Sequence, residues 1–284
     1  MNKKALIVKN GYYTSRSYEY QIARFAEELA RYNVETVLYE NNKPFFASDY
    51  QNFDFVLFLD KDVNLAIMME QAGMRVFNSS NAVENADNKA RSAALLGGDT
   101  RIRQQVTVIR PKRYFYDGAD ENFLRETAKK LGFPLVAKFA CGSLGEQVFL
   151  VHTEDELKQI DEKMNLNDGI YQAFRRGSVG ESYRVIVIGE KVLGACKLKS
   201  KDDFRSNAHG GGKGEFVTLP EEFEKTAISA AKKLGLDYCG VDLFCDEPVV
   251  IEVNGNAFFD EFEKQTGINV AKAYVEYIMS KVYD

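Results

Sequence analysis

The chain is poor in the residues that usually announce a metal or redox protein. His152 and His209 are its only histidines, and its four cysteines, Cys141, Cys196, Cys239 and Cys245, form no Cys-x-x-Cys pair. No zinc site can be assembled at such spacing. The thiols read as reduced side chains of a cytosolic protein. No apolar run approaches the roughly 20 residues that a membrane helix needs. The basic start Met1-Asn2-Lys3-Lys4 leads into an apolar run that ends at Lys9, too soon for the core of a secretion signal. Positive charge is in deficit too: the net charge of −5 supplies no overall field for nucleic acid. Two nucleotide-binding signatures are missing. There is no Gly-x-x-x-x-Gly-Lys-Ser/Thr, and Gly11 stands alone after the first predicted strand where a dinucleotide fold would carry Gly-x-Gly-x-x-Gly.

The chain does have ordinary globular material, 45% hydrophobic and 28% charged over 284 residues. That length corresponds to two domains or a few small subdomains. Strands at Ala5–Lys9, Val34–Tyr39, Phe55–Leu59 and Arg75–Asn78 alternate with helices at Ser17–Tyr32 and Val63–Gln71, which predicts a small parallel α/β unit over residues 1–84. Residues 85–175 bring a helix over Asp87–Leu96, strands at Val106–Arg110, Leu135–Phe139, Val148–Val151 and Ile170–Phe174, and a capping box at Thr153 and Glu156. Residues 176–284 bring a hairpin turning at Gly189-Glu190, a helix over Glu221–Leu234, a second hairpin and a closing helix over Val270–Val282.

The second hairpin is the most informative segment. Treating Asp246-Glu247-Pro248 as its connection sets Cys245 opposite Val249 and, counting back, Asp242 opposite Glu252. Opposed residues share a face about 4.5–5.5 Å apart at Cβ, and Asn254 lies two further along on that face. Two carboxylates and an amide on one patch form an all-oxygen site suited to Mg²⁺; the alternative is a solvent-facing polar edge. Lys138 interrupts the apolar strand Leu135-Val136-Ala137-Lys138-Phe139 and needs a partner there. The loop that follows, Cys141-Gly142-Ser143-Leu144-Gly145-Glu146-Gln147, could cradle phosphate with backbone N–H groups or be a simple turn. Arg205, Asn207, His209 and Lys213 crowd donors into the segment Asp202–Gly214, whose glycine-rich part, His209–Gly214, reads either as a mobile cover or as a solvated loop.

In this order the elements resemble the ATP-grasp superfamily, and more closely the RimK-like glutamate ligases. The resemblance runs from about Asn85 to the end of the chain. It is carried by Asp203-Phe204-Arg205-Ser206-Asn207-Ala208-His209-Gly210-Gly211, by residues 231–242, by Ile251-Glu252-Val253-Asn254 and by residues 263–271. It implies an α/β protein of the α+β ATP-grasp type: a small parallel pre-ATP-grasp domain, then two α+β subdomains that clamp ATP. It implies Lys89 and Lys138 on the phosphates, and Gly142, Ser143 and Gly145 in the lid loop. Gln172, Ala173 and Phe174 fall on the hinge strand whose backbone meets adenine, and Asp242, Glu252 and Asn254 on the Mg²⁺ ions, of which two are expected, with Mn²⁺ as an alternative. Arg184 and Arg205 match basic residues beside the reacting groups, with Asn207 next to them. The ribose carboxylate of the family falls at Ser182 here, with Glu181 one residue earlier. After Asn254 the family's Ala-Ser-Pro-Gly is replaced by Gly255-Asn256-Ala257-Phe258.

The activity implied is ATP-dependent joining of a carboxylate to an amine through an acyl-phosphate, adding glutamate or another amino acid to a small molecule or peptide. The implied partners are ATP and those two substrates, with neither nucleic acid nor membrane, in the cytoplasm; the oligomeric state is not legible. Two alternatives are an ATP-grasp phosphotransferase, which would turn over without an amine, and an idle nucleotide-binding protein, which would release no ADP.

Overall fold

The computed structural model describes residues 3–50, 52–115, 118–142, 147–200, 203–206 and 214–283. Its first unit places β1 (Lys3–Lys9), β2 (Val34–Glu40), β3 (Phe55–Phe58) and β4 (Val76–Phe77) in one parallel sheet ordered β2-β1-β3-β4. Helix α1 (Arg16–Arg31) starts where the Ser15 side chain accepts from the Tyr18 N–H, and it turns Ile22, Phe25 and Leu29 inward. Helix α2 (Val63–Gln71) is capped in the same way by Asp62.

The helix expected over Asp87–Leu96 is two helices. Asn88 adopts an extended backbone between α3 (Ser80–Asp87) and α4 (Lys89–Gly97), and its side chain caps the second by accepting from Arg91 N–H. A short polar side chain that bonds its own backbone competes with helix continuation. Here it makes Lys89 the first residue of a new helix. Two further sheets follow. β6 (Thr107–Ile109), β7 (Leu135–Phe139), β8 (Val148–Val151) and β9 (Gly169–Ala173) form an antiparallel sheet ordered β6-β9-β7-β8, backed by α5 (Glu121–Leu131) and α6 (Glu154–Met164). At the start of α6 Thr153 accepts from Glu156 N–H as expected, but Glu156 reaches back to the His152 N–H rather than to that of Thr153.

The third sheet has six strands. β10 (Glu181–Ile188), β11 (Lys191–Lys199), β12 (Glu215–Val217), β13 (Tyr238–Leu243) and β14 (Val249–Asn254) join the two-residue β5 (Arg103–Gln104) in the order β12-β11-β10-β13-β14-β5. Helix α7 (Glu221–Leu234) packs on one face of this sheet. Two helices complete the chain, α8 (Asp260–Thr266), which the sequence reading left unassigned, and α9 (Val270–Tyr283). Among the described residues no helix is long and apolar enough to cross a membrane.

The largest core does not respect the sequence division at residue 84. Phe25, Phe55 and Phe77 of the first unit pack in one cluster with Tyr238, Phe259 and Tyr274 from the last third. The sheet β6-β9-β7-β8 keeps a core of its own, built from residues 108–171. Asn78, 3% exposed at the end of β4, stitches the shared core together. Its Nδ2 donates to the carbonyls of Tyr238 (2.9 Å) and Gly255 (2.7 Å), and its Oδ1 accepts from the N–H groups of Asp237 (2.7 Å) and Tyr238 (3.1 Å). Leaving a buried backbone group unpaired costs about 1–3 kcal/mol. Asn78→Ala should therefore destabilise the chain by about 3 kcal/mol or more. Urea unfolding followed by circular dichroism, the natural probe for a chain without tryptophan, checks this; an unchanged midpoint would remove Asn78 from this role.

Candidate active site

Strands β13 and β14 pair with Asp242 opposite Glu252 and Gly240 opposite Asn254, as expected from the sequence, but by a different route. The connection is not Asp246-Glu247-Pro248. Phe244 N–H donates to Val249 C=O at 3.1 Å and Leu243 faces Val250, so the turn is one residue longer. The register then shifts between Asp242 and Leu243, with Ile251 as the extra residue on β14. This bulge cancels the longer turn and returns Glu252 to Asp242. Ser178 holds the turn, its Oγ accepting from the N–H groups of Cys245 (3.1 Å) and Asp246 (3.2 Å) and donating to Asp246 Oδ1 (2.8 Å).

The two acids lie among cations. Arg184, opposite Asp242 on β10, grips it in two places: Nε to Oδ1 at 2.5 Å and Nη2 to Oδ2 at 2.8 Å. Asp242 is 2% exposed, and burial raises its pKa above the usual carboxylate value although Arg184 opposes the shift. Burial also pulls the Arg184 guanidinium down, but Asp242 more than offsets this and holds it above its ordinary value. For Glu252 burial pushes upward, and Lys89, Lys138 and Arg184 together bring its pKa below normal. Lys89 Nζ stands 3.5 Å from Glu252 and donates to Gly142 C=O at 3.1 Å. Lys138 is 8% exposed on β7, and burial, reinforced by Lys89, lowers its pKa to about 8 against the pull of the two acids.

These groups line a cleft of about 560 Å³ between the sheet β6-β9-β7-β8 and the six-stranded sheet. Val136, Val148, Phe174, Leu198, Phe204 and Ile251 give it an apolar slot. Gly142, Glu181, Arg205 and Asn254 also reach the cleft. Arg205 is folded onto Asp203, Nε to Oδ1 at 2.9 Å and Nη2 to Oδ2 at 2.6 Å. Glu181 is held by Lys197 (2.8 Å) and Lys199 (2.6 Å), whereas Ser182 is fully buried with its Oγ 2.5 Å from that of Ser206.

Gln172 and Ala173 are not among the residues that line the cleft. Gln172 faces Val136 across β9 and β7 and donates from Nε2 to Thr107 Oγ1 at 3.0 Å, while its buried Oε1 has no partner among the described residues. Ala173 has both backbone groups engaged, its N–H by Val106 C=O at 3.0 Å and its C=O by the Gln105 amide. Ser143, Gly145, Asn207 and the loop residues His209 and Lys213 lie outside the described residues. Sequence reasoning passed over the first unit's contribution. Asn10, Tyr13 and Asp60 close the far end of the cleft. Asn10 and Asp60 lie just beyond the carboxyl ends of β1 and β3, where open parallel sheets bind ligands, and strand position alone could have flagged them.

The donors suit Mg²⁺. Among the described residues no group of three or more His, Cys, Asp or Glu gathers to cage a metal. Asp242, Glu252 and Asn254 supply an incomplete all-oxygen set, and Mg²⁺ typically completes such a set with waters and phosphate oxygens.

A cleft between two α+β layers, with paired acids facing two lysines, defines an ATP-grasp protein. The RimK-like ATP-grasp domain model matches residues 86–278, and the chain belongs to that family of ATP-dependent ligases. It is 38% identical over 207 residues to an uncharacterized Mycoplasma pneumoniae protein, covering 71% of this chain and 72% of that one. It is 35% identical over 221 residues to a probable alpha-L-glutamate ligase of Legionella pneumophila, covering 75% and 70%. The fold matches the ATP-grasp ligase PsnB, solved with a minimal precursor, Mg and ADP, with a TM-score of 0.70 at 17% identity over 98% of this chain and 97% of that one.

The lowered pKa of Lys138 gives a prediction for nucleotide binding. Phosphates favour the charged ammonium, so ATP binds the protonated form more tightly. Affinity for MgATP should be full below pH about 8 and fall as the pH rises through that value. Lys138→Arg, whose guanidinium stays charged, should flatten the decline. Calorimetric titrations on either side of that pH check this, and an equal decline in both proteins would place the titrating group elsewhere.

Proposed function

We propose that the chain joins a carboxylate to an amine, using ATP to form an acyl-phosphate. The observation that carries this reading is the pairing of Asp242 and Glu252 across β13 and β14 beneath Lys89, Lys138 and Arg184. The adenine fits the apolar slot, with Phe174 at its edge and Glu181 on the ribose. Mg²⁺ held by Asp242, Glu252 and Asn254 would supply charge neutralisation at the β- and γ-phosphates. Lys89 and Lys138 hold those phosphates in line with the substrate carboxylate.

A carboxylate oxygen attacks the γ-phosphorus, the bond to the β-γ bridging oxygen breaks, and ADP leaves. The amine then attacks the acyl carbon, the C–O bond to phosphate breaks, and phosphate departs with one former carboxylate oxygen and the proton that the amine nitrogen loses. Arg205, turning from Asp203 towards the cleft, stabilises the oxyanion of that second step. Asn207, its neighbour in the motif, is assigned to the same end of the site. In the Legionella relative the printed name makes the added group glutamate, which stands here as one member of the amino-acid class.

Two outcomes are expected. Glu252→Gln should keep the circular dichroism spectrum and lose ADP formation; full activity would overturn the assignment of the paired acids. With the substrate carboxylate labelled by oxygen-18, label should appear in released phosphate. Arg205→Lys, which keeps charge but loses the planar fork, should slow this step on the order of 10²–10³-fold. ADP release with unlabelled phosphate would mean simple phosphotransfer.

A further inference from the structure

Charge is segregated along the cleft. Its middle is cationic, with Lys89, Lys138 and Arg184, whereas the end closed by the first unit is mainly acidic, carrying Asp60, Asp260 and Glu261 beside Lys61. Asp60 is the informative member. It is 6% exposed, and no cation pairs with it among the described residues; Lys61, next in the chain, sends its ammonium to Asp87 at 2.5 Å. Asp60 Oδ1 accepts from Asn10 Nδ2 (3.1 Å) and Lys61 N–H (2.7 Å), and Oδ2 accepts from Asn41 Nδ2 (2.5 Å). A carboxylate has about four acceptor positions, so about one is left. Lys61 attracts this carboxylate without an ion pair, a buried carboxylate left short of close partners is costly, and this one lines a cavity where a ligand could supply a closer charge.

The surroundings of that carboxylate are aromatic. Tyr18 donates to Leu59 C=O at 2.7 Å and accepts from Asn10 N–H at 2.9 Å, which fixes its ring beside Asp60. Tyr13 and Phe258 stack in parallel, 6.5 Å apart and 3° from coplanar, and both rings pack on Tyr18. Asp260 accepts from Ser17 Oγ at 2.8 Å at the same end, and Glu261 is exposed beside it.

We propose that the amine substrate is a cation with a flat or apolar body: its ammonium takes the open acceptor of Asp60, leaves one proton on that carboxylate and attacks the acyl carbon as the free amine, while its body lies against Tyr13 and Phe258. Aromatic faces favour a cation within about 6 Å, and Asp260 and Glu261 oppose a second carboxylate. Free glutamate fits this end poorly, because its side-chain carboxylate would enter a field of its own sign. The inference rests on the ligase reading and names the amine for the same site.

Binding separates the two ideas, since it requires no turnover. With the protein saturated by a non-hydrolysable ATP analogue and Mg²⁺, calorimetry should detect tyramine. Neither glutamate nor 3-(4-hydroxyphenyl)propionate, which exchanges the ammonium for a carboxylate, should bind at the same concentration. Asp60→Asn should weaken tyramine at least tenfold and leave nucleotide affinity unchanged. Glu261→Lys, at an exposed position that cannot disturb folding through the core, should weaken it several-fold. Tighter binding of glutamate, no binding of tyramine to the wild type, or equal tyramine affinity in both variants would overturn the proposal. Hydroxylamine trapping of the acyl-phosphate reads the ligase step without the amine end: absence of hydroxamate strikes the ligase reading and leaves the tyramine result standing.

Discussion

Asp242 and Glu252 face one another inside the protein, and the architecture around them keeps that arrangement tolerable. Two opposed carboxylates repel, and withdrawing either from water is costly. The six-stranded sheet answers with Arg184 in register with Asp242. The facing sheet answers with Lys138, and the start of α4 with Lys89. The three cations come from three separate elements, so the site exists only when the strands, the helix and both sheets are correctly assembled. Buried ion pairs contribute little to stability compared with apolar packing of the same volume. Chains depart from the simplest packing rules mainly at functional sites, and the charges here fit that pattern.

Much of this was legible in the chain, and the reasons differ by element. Alternating strands and helices disclosed the first parallel unit because their apolar periods are long and clean. Lys138 stood out because a lysine in the apolar strand Leu135–Phe139 violates its surroundings. The facing of Asp242 and Glu252 was reached through two compensating departures, a longer turn and a bulge at Ile251. A bulge leaves no mark in the hydrophobic pattern, because the extra residue may be of any type. The break at Asn88 was equally hidden: residues on either side are good helix formers, and only the side-chain cap reveals the boundary. Gln172 lies on the expected strand, but a strand pattern does not tell which of its residues reach the cleft: Val136, its partner on β7, does and Gln172 does not. The contribution of Asp60, which only its place at a strand end could have flagged, went unread for a further reason. It belongs to a unit with no informative motif, and it joins the cleft only because that unit shares a core with the last third of the chain.

That shared core decides which parts of the cleft are fixed relative to one another. Phe25, Phe55 and Phe77 are interleaved with Tyr238, Phe259 and Tyr274, and Asn78 bonds the backbone at the start of β13 and at Gly255. The end bearing Asp60 and the hairpin bearing Asp242 and Glu252 therefore behave as one body. The sheet β6-β9-β7-β8 has a separate core, with Asp161 buried between Arg110 (2.6 Å) and Tyr171 (2.6 Å) to hold it together. At the junction with the larger body stand Gln105, bonded to Ala173, and Arg175, paired with Asp246 at 2.9 Å and set 5.1 Å from the Phe244 ring centre.

Such a division suits a reaction with a water-sensitive intermediate. Lys138 belongs to the smaller sheet, and Lys89 begins a helix tied to both sides: its N–H donates to Ala140 C=O at 2.8 Å and Ala90 packs on Ala140 and Ile170, whereas Leu96 packs with α7 against the six-stranded sheet. On the reading proposed above, a nucleotide between the two sheets would contact both and draw them together. Closure lowers the local dielectric around the phosphates, where each charge then counts for more. The spacing between Asp60 and the paired acids is set by the core that the first unit shares with the last third of the chain. An enzyme built this way can hold an open cleft for substrates and still place its charges correctly once ATP is bound.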